Sequence, residues 1–350
     1  SIVIVGDVDV DQIEQIIKTL FADIPRRENP DVRPFFELPD NDEPLIGIAS
    51  DPEARNTILT VYYKHQAVPK NEKNLGYVRE QMIQKLATSM ISARLNEITQ
   101  KPNPPFVFAA SDMGNMVRTK SALMFYAALR NDAMIDGIKG LIREAERVKQ
   151  FGFTATEFDR AKSDYMRGLE NELKEKDKQK NQKYVWEAIN NFLEGEPMPG
   201  IEFEFMLANG LVPTITLEEI NAYIASMVTD KNVALTLMAP KKDDIQLPSE
   251  EAILAAVKEV KSETLQAYVD NVVMKPLVES IPTPGQIKKV NDKNIFGTTE
   301  LTLSNGVKVI LKPTDFKEDE VKLDAFSKGG LSLADLATLP SATLATDMVV

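Results

Sequence analysis

The chain has 350 residues, enough for about two domains. It carries 41 basic and 53 acidic side chains, and the net charge of −12 has the wrong sign for a nucleic-acid footprint. With no cysteine and one histidine, His65, disulfide frameworks, thiolate metal sites, cysteine nucleophiles and multi-histidine metal centres cannot be built from it.

The longest unbroken apolar run, residues 122–129, is far short of a membrane span. Absence of cysteine suits an exported protein as well as a cytoplasmic one. Both ends read as cut: the chain opens on Ile2, Val3, Ile4 and Val5 and stops on Met348, Val349 and Val350, whereas termini are usually polar. The expectation is a piece of a longer chain.

Residues 2–5 are predicted as a strand. A Gly6-Asp7 turn and a helix over 11–21 follow, with Ile13, Ile16, Ile17, Leu20 and Phe21 at helical spacing. Residues 26–44 are polar and Pro-rich, a linker. Strands are predicted over 46–49 and 57–63. The second alternates Ile58, Thr60 and Tyr62 with Leu59, Val61 and Tyr63. Residues 71–100 form a long helix whose stripe runs through Leu75, Val78, Met82, Leu86, Met90, Ile91, Leu95 and Ile98, with Leu86 and Met90 in the core. Strands over 106–110 and 121–129 flank a turn at 112–115.

A helix covers 133–149. Thr154 and Glu157 fit a capping box opening a helix that runs to 194. Within it residues 174–183 lack any apolar side chain, as on a solvated helix face or an exposed turn. Thr216 and Glu219 make a second box. A strand over 232–238 and a helix over 250–268 follow, then a loose segment to about 297. Strands over 299–303, 307–312 and 320–326 end the chain, the first two joined by a tight turn at Asn305-Gly306. Runs of helices and runs of strands, without strict alternation, predict an α+β fold: an antiparallel sheet layered with helices. Residues 2–21 and 232–268 share the order strand, turn, helix, a hint of duplication.

No catalytic motif stands out. His65 is followed by Gln66, Ala67, Val68 and Pro69, so neither H-x-x-E-H nor H-E-x-x-H is present. A surface or hydrogen-bonded role is predicted for His65. Glu218, Glu219, Glu250 and Glu251 sit in first helical turns, where the dipole favours carboxylates.

Four segments together resemble the pitrilysin/insulinase-type zinc metallopeptidases, which have the mitochondrial-processing-peptidase-like fold. They are residues 2–25 with Gly6-Asp7 and Pro25; residues 90–97 with Arg94-Leu95, followed by Pro104, Pro105 and Phe106; residues 151–162 with Gly152, Thr154, Glu157 and Lys162; and residues 303–313 with Asn305-Gly306. The resemblance implies a layout. Residues 1–30 end a truncated catalytic domain, 31–271 are a complete non-catalytic domain, 272–298 a linker, and 299–350 the start of a third homologous domain.

It further implies a parent protein that is a zinc metalloendopeptidase, hydrolysing peptides in a closed chamber of two halves. Zinc belongs to that parent, and no catalytic or metal-binding residue carries over to this chain, which on its own is expected to be inactive. Arg94 and Phe106 are the substrate-chamber candidates, with a structural salt bridge the competing role for Arg94. The partners implied are a peptide substrate and the missing domains or a homologous subunit, with no nucleic acid and no membrane span. An exported or periplasmic location goes with bacterial relatives. The alternative reading is a partner subunit of the same family without the zinc motif.

Overall fold

The computed structural model describes residues 2–25, 27–29, 31, 34, 36–271, 278, 280–292, 296–317 and 320–345. The chain forms two compact units, Ser1–Pro282 and Thr283–Val350.

The first unit opens with helix α1 (Val10–Phe21), which starts where Asp9 accepts from the Gln12 amide and which has no buried residue. Five strands form its sheet: β1 (Leu45–Asp51), β2 (Thr57–Gln66), β3 (Phe106–Val117), β4 (Lys120–Leu129) and β5 (Val233–Pro240). The order is β1-β5-β2-β4-β3. Three of the four pairings are antiparallel, and β1–β5 is parallel, from Leu45 opposite Ala234 to Asp51 opposite Pro240.

Seven helices follow α1: α2 (Leu75–Thr99), α3 (Met134–Phe151), α4 (Ala155–Lys174), α5 (Asn181–Glu194), α6 (Ile201–Leu211), α7 (Leu217–Met227) and α8 (Glu250–Ser262). Helices α2, α3 and α8 pack on the strands. Outside them, α4 lies on α2, α6 on α4, and α7 on α2 and α3.

The core lies between this layer and one face of the sheet. Leu59, Val61, Tyr63, Leu123, Phe125, Leu235 and Leu237 project from the strands onto Leu86, Met90, Ile91 and Leu95 of α2 and Ile138, Leu141 and Ile142 of α3. Each such buried side chain stabilises the fold by about 1.5–3 kcal/mol. Close approach of α3 needs a small residue: a Cβ on Gly140 would stand 3.1 Å from the Phe106 ring. The Thr154–Glu157 capping box is formed in both directions at the start of α4. At Thr216 only the hydroxyl half forms, because Glu219 turns instead to Arg79.

Several predicted elements differ from the structure. Residues 112–115 continue β3, since Met113 and Gly114 pair with Leu123 and Ala122. The chain reverses at Arg118–Thr119, after a register shift between Asn115 and Val117. Ladder hydrogen bonds there outweigh the turn preference of Asp and Gly. The helix over 154–194 breaks into α4 and α5 around a short 3-10 turn, Lys176–Lys178, where no apolar side chain anchors it. α8 stops at Ser262, and α6 arises where no element was predicted. Residues 2–5 and 320–326 are not strands, for neither finds a neighbouring strand among the described residues.

The second unit is a three-stranded antiparallel sheet in the order β6 (Ile287–Asn291), β7 (Thr299–Leu303), β8 (Lys308–Leu311), with a short helix α9 (Leu339–Leu344). β6 lies in the segment read as loose. It gives the hairpin the third strand that a two-stranded ribbon in water lacks. Gly306, at φ +86°, makes the tight turn that Asn305-Gly306 foretold. Each described residue of this unit is at least partly exposed.

Candidate functional site

The helices cover one face of the five-stranded sheet and leave the other open. Side chains alternate between faces along a strand, and the register carries rows of them across the open side. One row is Ala49, Met238, Ile58, Ala128 and Phe108; the next is Gly47, Thr236, Thr60, Tyr126 and Ala110; the third is Leu45, Ala234, Tyr62, Met124 and Asp112. Ile58, Phe108 and Met238 are 39%, 54% and 50% exposed, which is high for large apolar side chains in a sheet. The Phe108 and Tyr126 rings meet at 6.0 Å. This is a broad apolar and aromatic surface of the kind that receives another chain.

At one end of the open face the exposure stops. Lys64 and Lys120, on the same side of β2 and β4 as Tyr62 and Met124, are 2% and 3% exposed. The segment 36–42, which leads into β1, crosses over them. Lys64 Nζ donates to the Pro39 carbonyl at 3.2 Å, and Lys120 Nζ pairs with Asp40 Oδ1 at 2.6 Å. The Gln66 amide, with its oxygen turned to Lys120, accepts at 2.9 Å. The segment is also tied to Asn232, whose amide donates to the Asn41 carbonyl at 2.8 Å and whose side-chain Oδ1 accepts from the Asn41 amide at 2.9 Å. Burial, and then the Lys120 charge, push the Lys64 pKa down. The hydrogen bond from Lys120 holds the Asp40 carboxyl below its ordinary value.

The two residues singled out from the sequence lie elsewhere. Phe106 begins β3 but points into the core, 0% exposed, against Gly140. Arg94 is 2% exposed within the helical layer. It donates to both oxygens of Glu157, to Glu144 at 3.3 Å and to the Gly152 carbonyl at 2.9 Å. Its guanidinium stacks between Phe153 and Tyr268, 5.0 and 4.3 Å from the ring centres. A cavity of about 320 Å³ beside it is lined by Glu97, Asp164, Tyr165 and Tyr268. So Arg94 joins α2, α3 and α4, and neither it nor Phe106 reaches the open face.

The open-face residues were missed. Alternation in β2 showed that Ile58, Thr60 and Tyr62 share a side, but only the helices decide which side they cover.

Zinc chemistry needs a cluster of donors. Among the described residues no three His, Cys, Asp or Glu side chains converge on one point. The histidine is engaged: its Nε2 lies 2.9 Å from the Met227 carbonyl, so it donates there. The described residues therefore do not fit a zinc ion.

Residues 1–165 match the family described as Peptidase M16 inactive domain. The chain is 27% identical over 335 residues to an Arabidopsis thaliana protein named "Zinc protease PQQL-like", and 24% identical over 347 residues to the Escherichia coli "Probable zinc protease PqqL". In this the chain is similar to the pitrilysin/insulinase-type peptidases. The family's fold is seen in the crystal structure of the periplasmic protease PqqL from Escherichia coli, which superposes with a TM-score of 0.64 at 22% identity, covering 89% of this chain and 34% of that one. An insulinase family protease from Yersinia pestis superposes at 0.61 with 15% identity, over 73% and 54%. Each alignment with the two named relatives takes in 95% of this chain but only 32% and 36% of theirs, so the chain spans about a third of their length. Within the family the matched part is a domain of the inactive type in a zinc-protease-like protein. No helix among the described residues is long and apolar enough to cross a membrane.

Proposed function

We propose that this chain is the non-catalytic portion of a zinc-dependent metalloendopeptidase, and that the open face of its sheet is a wall of the chamber holding the peptide. The observation carrying this reading is the uncovered band of Ile58, Phe108, Met238, Tyr62 and Tyr126, in a domain matching the family's inactive type. Residues 31–271 are the wall domain, 272–298 a linker that carries β6, and 299–350 the opening of another homologous domain. The boundary between the compact units, at Pro282–Thr283, falls inside that linker.

Zinc and the water it activates belong to other parts of the parent protein. This chain by itself binds no catalytic zinc and cleaves no peptide. Arg94 and Phe106 serve the wall from behind: one ties the helices together, the other seats β3. An exported, periplasmic location goes with this reading, as the named Escherichia coli structure is of a periplasmic protease. In the alternative, the whole protein is a partner subunit without the zinc motif.

The experiment is oxidative footprinting of the methionines with and without an unstructured 20-residue peptide. Peptide on the wall shields Met238 and Met124 and leaves Met198 unchanged. Shielding of Met198 alone, or of none, sinks the wall reading.

A further inference from the structure

The lysine pair under segment 36–42 stands apart from the apolar wall. Two ammonium groups, each at least 97% buried by residue, lie near one carboxylate, Asp40, which pairs with Lys120 and is itself 64% exposed. Among the described residues the hydrogen-bond partner of Lys64 is the Pro39 carbonyl. Lys120 has Asp40 and Gln66. Buried charges are ordinarily paired one to one, because an unpaired cation in a low-dielectric site is costly. Here the site is one negative charge short.

A simple tether for the segment needs a single lysine. The register puts the two on adjacent strands: Lys64 faces Ala122 and Lys120 faces Gln66, so their stems rise from the same patch of the open face. The covering segment sets its side chains over this end of the face, where side chains of a bound peptide would lie. Asp40 is therefore an internal stand-in for a ligand carboxylate.

We propose that Lys64 and Lys120 form an anion subsite at the end of the open face, that it takes acidic side chains of a bound peptide, and that Asp40 on segment 36–42 fills and guards it when no peptide is present. This inference rests on the wall reading above. A peptide with neighbouring glutamates supplies the missing charge and competes with Asp40. A neutral peptide does not displace the segment.

Two dye-labelled decapeptides test it, identical but for Glu-Glu in one and Gln-Gln in the other, with the full 350-residue chain. Anisotropy is measured for the unaltered chain, for Asp40→Asn, and for Lys64→Met with Lys120→Met. Acylation of Lys64 and Lys120 by an acetyl ester is read by mass spectrometry on the first two. In Asp40→Asn both lysines acylate faster, the Glu-Glu peptide binds about tenfold tighter than its twin, and only that peptide slows the acylation. The double lysine variant binds the two peptides alike.

Equal binding of both peptides to Asp40→Asn, or acylation that neither slows, overturns the subsite. If the Gln-Gln peptide still shields Met238, the wall reading survives that failure. If neither peptide binds any form of the chain, wall and subsite fall together. Asp40 lies outside the sheet and is 64% exposed, so Asp40→Asn is expected to free the segment with the sheet still folded, checked by an unchanged far-ultraviolet circular dichroism spectrum, and the test does not depend on the lysine variant folding.

Discussion

Arg94 of α2 and Glu157 of α4 form a two-pronged ion pair inside the helical layer, Nε to Oε1 at 2.6 Å and Nη2 to Oε2 at 2.9 Å. Glu157 also closes the capping box on Thr154, so a single carboxylate begins one helix and fastens it to another. Burial disfavours the Arg94 charge, but the hydrogen bonds and charge of Glu157, then Glu144, outweigh it and hold its pKa above the ordinary value. Removing one partner of such a pair strands the other. Arg94→Met is expected to cost about 3–5 kcal/mol, measured by urea unfolding. Arg94→Lys recovers little of it, because an ammonium cannot make the fork. A loss under about 1 kcal/mol would show that water reaches Glu157.

Leu86 lies at the centre of α2, 1% exposed, between the sheet and the outer helices. Leu86→Ala should lower stability by about 2–5 kcal/mol. Leu75, predicted on the same stripe, is instead 55% exposed because it opens the helix ahead of the packed turns; it is the control, and Leu75→Ala should change stability by less than about 0.5 kcal/mol. Chemical denaturation separates the two, and equal effects would mean that the helix face is misassigned.

Gly152 ends α3 at φ +65°, and a Cβ there would strike the Asn221 side chain, which accepts from the Phe153 amide at 2.8 Å. Gly152→Ala carries both the left-handed backbone cost and the displacement of Asn221, about 1–3 kcal/mol together. Asn221→Ala relieves only the second. The double variant should therefore be less destabilised than the sum of the singles, and strict additivity in thermal melts would refute the contact.

His65 titrates below its ordinary value: burial lowers its pKa, and the bond to the Met227 carbonyl only partly opposes this. The folded state therefore binds the proton less readily than the unfolded chain. Its contribution is complete above the unfolded pKa of about 6.5 and is lost as pH falls through the folded value. Between pH 7.5 and 5 the unaltered chain should lose more stability than His65→Gln, compared by denaturation midpoints. Parallel losses would show that the imidazole is solvated.

Local chemistry determined much of this protein. Thr154 and Glu157 cap a helix because they are three residues apart, and Asn305-Gly306 turns because Gly306 tolerates a positive φ. The stripe through Leu86 and Met90 became core because a helix can bury only one side against a sheet. Such features depend on neighbours a few residues away, so the amino-acid order is enough to reveal them. Tertiary structure alone decided the rest. The parallel pairing of β1 with β5 joins segments almost 190 residues apart, and no local signal sets its direction. Asp112 to Asn115 carries turn residues, yet stays extended because β4 offers partners along its length. Arg94 became a buried clasp once three helices brought Glu144, Glu157 and Gly152 to it. Lys64 and Lys120, in paired strands, are buried by a segment some 25 and 80 residues away in the chain. In each case the deciding free energy is a contact between residues far apart in the chain, which exists only after the fold has closed the loops between them.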